Sequence, residues 1–207
     1  MGKAQDPRDN NEIPDAGSAA EYFSAYAREL GVALAKISPE QIEAAYDVLR
    51  GALKSGARIY VAGNGGSAAI SDHLCCDWLK GTYVPGQPAL KVHSLTANTA
   101  LFTALGNDFG YDATIARQVE MLGEPGDVLI LISSSGNSAN IIKAADSARA
   151  RKMKVIGMTG FNGGKLAASA DVSLYVPAHN YGMAEDAHQM LMHSLAQFLN
   201  KERDVSR

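Results

Sequence analysis

The sequence predicts an α/β protein, a parallel sheet covered by helices on both faces in three layers (αβα), with extra helices at the N-terminal side. Three observations carry this. Short apolar runs at 58–62, 127–132 and 154–159 each lead into a Gly- or Ser-rich turn and then a helix-like stretch, the repeat expected of parallel strands with crossover helices. Two further apolar runs, 90–95 and 172–176, supply more strands. The chain has 207 residues, 46% hydrophobic and 20% charged, an ordinary globular mix in a length that suits one domain with a sizeable core.

In chain order, residues 1–17 are rich in Asp, Asn, Pro and Gly and are expected to form a mobile arm. Residues 18–207 form the single domain. Ala20, Phe23, Tyr26, Leu30 and Leu34 recur at helical spacing and predict a helix over 19–37. Ser38, Pro39 and Gln41 open a second helix as cap, first helical position and capping-box partner. Ile42, Ala45, Tyr46 and Leu49 continue it until Gly56. The last helix runs from about 183 to about 201. Adjacent Cys75 and Cys76 make no disulfide framework and are expected to pack on a helix as small hydrophobes.

Composition excludes several functions. Lys and Arg number 19 against 22 Asp and Glu, for a net charge of −3, so nucleic acid is not expected as a partner. No apolar run is long enough to span a membrane. The N-terminal segment lacks an apolar signal core, which points to a cytoplasmic location. Gly63-Asn64-Gly65-Gly66-Ser67-Ala68 fits G-x-G-x-x-A after a strand, yet no Asp or Glu lies between Asp77 and Asp108 to hold a ribose hydroxyl. The stretch from Gly160 to Lys165 is one residue short of a Walker loop, and Leu166 replaces its Ser/Thr. No nucleotide cofactor is expected.

The turn Ser133-Ser134-Ser135-Gly136-Asn137-Ser138 points to a ligand. A helix with Ile141, Ile142, Ala145 and Ala148 follows it, and a helix N-terminus offers unpaired N–H groups to an anion. Serine hydroxyls add donors that rotate to meet its oxygens. The nearest cation downstream is Lys143, so the loop reads as a neutral cradle for one phosphate monoester. Helix capping alone needs only Ser138.

These residues, together with Gly63-Asn64-Gly65-Gly66-Ser67, Gly106-Asn107-Asp108-Phe109-Gly110, Gly126-Asp127-Val128-Leu129 and Thr159-Gly160, resemble the sugar isomerase (SIS) domain. Within it they are similar to the phosphoheptose isomerases, over about residues 19–200. The resemblance implies a cytosolic homotetramer with active sites between subunits. It implies that Ser67, Ser133, Ser135 and Ser138 surround a sugar phosphate, and that Asn64 and Asp108 line the site. Gly65, Asn107 and Ser134, in the same motifs, complete the candidate substrate-binding set.

Ionisable residues cluster on two helices. His73 and Asp77 are four apart, as are Glu185, Gln189 and His193 in series, so each set shares one helix face. A His–acid pair at this spacing is also an ordinary surface ion pair, and His188 reads as a packing residue. Two imidazoles and carboxylates from two helices can form a zinc-type site. The resemblance places metal ligands at His73, Asp77, Glu185 and His193. Asp77 stands where the family has Glu, and Glu185 where it has Gln. The family's acid/base pair falls on Asp77 and His193. Because Asp77 is one methylene shorter, Glu185 is the rival base. Two carboxylates also neutralise Zn²⁺, where the usual set carries one.

The function implied is aldose–ketose isomerisation of sedoheptulose 7-phosphate to D-glycero-D-manno-heptose 7-phosphate through an enediolate. Two alternatives stay open: an isomerase for another sugar phosphate, and a non-catalytic sugar-phosphate sensor or adaptor of the same fold.

Overall fold

The computed structural model describes residues 16–205; most of the segment expected to be an arm lies outside them. Five parallel strands form one sheet in the order β2-β1-β3-β4-β5. They are β1 (Arg58–Gly63), β2 (Lys91–Ser94), β3 (Val128–Ser133), β4 (Lys154–Thr159) and β5 (Val172–Tyr175). The central strand β3 is buried along its whole length, as its unbroken aliphatic run requires between two helical layers. Alternate residues feed two cores. Ile59, Val61, Ile130 and Ile156 pack with the helices α1 (Ala19–Leu34), α2 (Pro39–Ser55), α3 (Gly66–Cys76) and α8 (Tyr181–Val205). Tyr60, Ala62, Leu129, Leu131 and Val155 face the other way, onto α5 (Thr114–Leu122), α6 (Ala139–Ala150) and α7 (Gly164–Ser169). The remaining helix, α4 (Thr99–Phe109), lies before α5.

Two local expectations are corrected. Ser38 Oγ accepts from the Gln41 N–H at 3.2 Å, but Gln41 does not close a capping box. Its Oε1 accepts from the Ser173 N–H at 2.8 Å, because β5 is an edge strand and needs an acceptor on its open side. Cys75 is half-buried, and burial pushes its thiol up to about 12. Cys76 is exposed instead of packed; its position one residue on turns it off the buried face.

The chain leaves β1 toward β2 on one side and returns to β3 on the other. The carboxyl ends of β1 and β3 therefore flank a crevice at the switch point, where open α/β sheets bind ligands. Both polar turns singled out in the sequence, after Gly63 and after Ser133, begin there.

Candidate active site

A cleft of about 140 Å³ opens at this crevice, lined by Asn64, Ser67, Ser133, Ser134, Ser135, Ser138, Tyr181 and Glu185. Ser138 occupies the N-cap of α6, yet its side chain makes no capping hydrogen bond, so capping does not consume its hydroxyl. Ser134 Oγ is buried with no hydrogen-bond partner among the described residues. Asn137 braces the loop from outside: its Nδ2 donates to the Ser135 carbonyl at 2.9 Å, and its Oδ1 accepts from the Lys165 N–H at 3.1 Å. Among the expected substrate residues, Asn107 and Asp108 do not line this cleft. They are exposed at the end of α4 and hydrogen-bond each other at 2.9 Å. Gly65, at φ +55°, starts α3 and does not line the cleft.

The ionisable cluster assembles from both ends of the chain. His193 Nδ1 lies 2.7 Å from Asp77 Oδ2, and His73 Nε2 lies 3.5 Å from Asp77 Oδ1. The two imidazoles meet edge to face at 5.0 Å. Ligand atoms of His73, Asp77 and His193 all fall within 4.8 Å of one another. Two imidazoles and one carboxylate at this spacing fit a divalent ion that keeps an open coordination position.

Gln189, which the sequence reading placed on the stripe but gave no role, bridges the imidazoles. Its Nε2 lies 2.5 Å from His73 Nδ1 and 3.4 Å from His193 Nε2.

Asp77 begins a wide π-helical turn, Asp77–Gly81, that ends α3. Such turns recur at functional sites because they shift a side chain off the regular helical stripe. Trp78, in the same turn, is buried and donates from Nε1 to the Met192 carbonyl at 2.9 Å. That bond fastens the Asp77 turn to α8 beside His193.

The structure does not bring Glu185 into this group. It lines the serine cleft and lies directly over Gly66, where a Cβ would collide with its carboxylate. Burial, and next Asp186, hold its carboxyl above the usual carboxylate range.

His188 is fully buried, with no hydrogen-bond partner for its ring nitrogens among the described residues. Burial pushes it down from 6.5 to about 4. The unfolded chain therefore takes up a proton between pH 6.5 and 4 that the folded chain refuses. This contribution to stability is complete above pH 6.5 and is lost as pH falls toward 4. Melting temperature is expected to drop across that window, and His188→Leu to flatten the drop. An unchanged pH profile in His188→Leu contradicts this assignment.

Comparison with known proteins agrees with the geometry. The SIS domain family matches residues 21–160. The phosphoheptose isomerase of Rhodospirillum rubrum is 40% identical over 173 residues, covering 84% of this chain and 91% of the relative. That of Helicobacter hepaticus is 40% identical over 161 residues, covering 78% and 82%. Among solved structures, phosphoheptose isomerase GmhA from Neisseria gonorrhoeae superposes with TM-score 0.80 at 36% identity, covering 88% of this chain and 96% of that one. The phosphoheptose isomerase from Francisella tularensis superposes at 0.81 with 31% identity, covering 88% and 96%. With a serine cradle at the switch point and a His–Asp–His group beside it, the chain belongs to the SIS domain family, in its phosphoheptose isomerase branch, and is a sugar-phosphate isomerase.

Proposed function

We propose that the chain interconverts sedoheptulose 7-phosphate and D-glycero-D-manno-heptose 7-phosphate. One observation carries the reading: α8 reaches both groups, with Glu185 lining the hydroxyl cradle and His193 in the His–Asp–His group. From Glu185, at the cradle, to His193 is about 12 Å of α8 at 1.5 Å per residue. At about 1.2 Å per bond, C2 of an extended heptose 7-phosphate lies about 8 Å from phosphorus, against about 6 Å in a pentose 5-phosphate. The longer chain suits the separation once side chains reach inward from both ends.

In this reading Ser67, Ser133, Ser134, Ser135 and Ser138 hold the phosphate with hydroxyls and the backbone N–H groups of the α6 N-terminus. Asp77 and His193 move the proton. A base takes a C1 proton from the ketose, the electrons pass to the C2 oxygen as an enediolate, the O1 proton is transferred to O2, and a proton is returned to C2 as the C1 carbonyl forms. The 2.7 Å contact to Asp77 orients the His193 ring for proton transfer. His73, Asp77 and His193 would hold a divalent ion of the zinc type, which when bound supplies electrophilic assistance to the carbonyl oxygen.

A second reading of the base rests on Glu185. Its carboxyl is half-buried in the same cleft and more basic than an exposed carboxylate. Assembly belongs to the same proposal. Phe23 is 73% exposed on α1, and a ring so placed suits burial by another subunit of a cytosolic homotetramer.

The test is turnover of sedoheptulose 7-phosphate against a pentose 5-phosphate. Preference for the seven-carbon substrate is expected, and failure to turn over either overturns the reading. Ser133→Ala with Ser135→Ala should raise KM by about 10- to 100-fold, the loss of about 1–3 kcal/mol of charge-assisted hydrogen bonding. An unchanged KM would remove the phosphate from this loop.

A further inference from the structure

Asn64 stands on the cleft wall just after β1, and two residues outside the cleft hold its amide. Its Nδ2 donates to Asn140 Oδ1 at 2.9 Å. Asn140 Nδ2 donates back to Asn64 Oδ1 at 2.8 Å. The Tyr111 hydroxyl donates to the same Oδ1, also at 2.8 Å.

A carbonyl oxygen has two lone pairs, and here both are taken. The second N–H of Asn64 has no protein acceptor among the described residues. Asn140 is only 1% exposed, near the start of α6 and two residues past Ser138. The amide pair therefore ties the β1 turn to the serine loop across the switch point. Tyr111 adds the segment that follows α4, the stretch that carries Asn107 and Asp108.

We infer that Asn140 and Tyr111 are positioning residues that lock the Asn64 amide so that it meets the substrate only as a hydrogen-bond donor, toward an oxygen of the sugar phosphate. The inference rests on the isomerase reading of this cleft. With its carbonyl saturated, Asn64 cannot turn its oxygen to the ligand without breaking two hydrogen bonds. A substrate acceptor meets a group already oriented, which lowers the ordering cost of binding. A free asparagine would present either end.

A double-mutant cycle on KM tests this, because residues acting only through a third are not additive with it. Asn64→Ala should raise KM about tenfold, Asn140→Ala nearly as much, and the double variant no more than Asn64→Ala alone. Tyr111→Phe, at an exposed position where folding is not at stake, should raise KM about threefold in the wild-type background and not at all in Asn64→Ala. Asn140→Asp keeps the acceptor for Asn64 but loses the donor, and should fall between wild type and Asn140→Ala. Effects of Asn140→Ala or Tyr111→Phe that multiply with Asn64→Ala, or that spare KM and only lower the melting temperature, overturn the inference. If wild-type protein turns over no sugar phosphate, the isomerase reading fails by itself. The same cycle measured as calorimetric Kd for sedoheptulose 7-phosphate then decides the positioning role: coupling sustains it, and additivity or no binding overturns it.

Discussion

Asp77→Asn is expected to lower kcat by at least about a hundredfold, the usual scale of a lost general acid–base partner, while the protein stays folded. The substitution conserves shape but replaces an acceptor by a donor. Asp77 Oδ2 accepts from His193 Nδ1 at 2.7 Å; an amide NH₂ in that place meets a ring N–H donor to donor. The imidazole must then change tautomer or turn away, and it loses the acceptor that orients it. His193→Ala should lose as much. The Trp78 bond to the Met192 carbonyl and the buried Leu191 and Met192 keep α8 docked in both variants. Steady-state kinetics with sedoheptulose 7-phosphate, alongside near-ultraviolet circular dichroism, measure the two effects separately. Full activity in Asp77→Asn would transfer the base to Glu185, and Glu185→Gln would then carry the loss. Inactivity of Asp77→Asn with an altered dichroism spectrum would instead mark Asp77 as structural.

Gly136→Ala should damage stability and binding together. Gly136 sits in the serine loop at φ +64°, a left-handed conformation that strains any residue with a Cβ by roughly 1–2 kcal/mol. An added Cβ would also strike the Gly163 carbonyl, a backbone atom with no rotamer to yield. Overpacking of this kind costs roughly 1–3 kcal/mol more, so a loss of about 2–5 kcal/mol in urea unfolding is expected. The loop moves to relieve the clash, and with it move the Ser133 carbonyl, which accepts the Gly136 N–H at 3.0 Å, and the Leu166 N–H bonded to the Gly136 carbonyl. KM should therefore rise in Gly136→Ala even though no hydroxyl is lost. Ser135→Ala provides the contrast, with weaker binding at unchanged stability. Wild-type stability in Gly136→Ala would show that the loop tolerates a side chain there.

The layered architecture and the location of the cleft were legible before any coordinates. Strand-length aliphatic runs ending in Gly or Ser turns encode a parallel sheet locally, and Ser133, Ser134, Ser135 and Ser138 are neighbours in sequence, so one loop carries most of the cradle. His73 with Asp77, and Glu185, Gln189 and His193, were also visible as helical stripes. Which members meet was decided in three dimensions. The π-helical turn at Asp77 and the bond from Trp78 to Met192 bring Asp77 against His193, more than 100 residues away. Gly66 leaves room for Glu185 at the cleft, apart from the His–Asp–His group, and Gln189 comes between the imidazoles instead. Asn140 and Tyr111 could not be read from spacing, because each acts on a residue 76 or 47 positions distant. Local pattern specifies secondary structure through backbone geometry and alternating burial. The partner of a polar side chain depends on how helices seat on the sheet, which the packing of both cores settles.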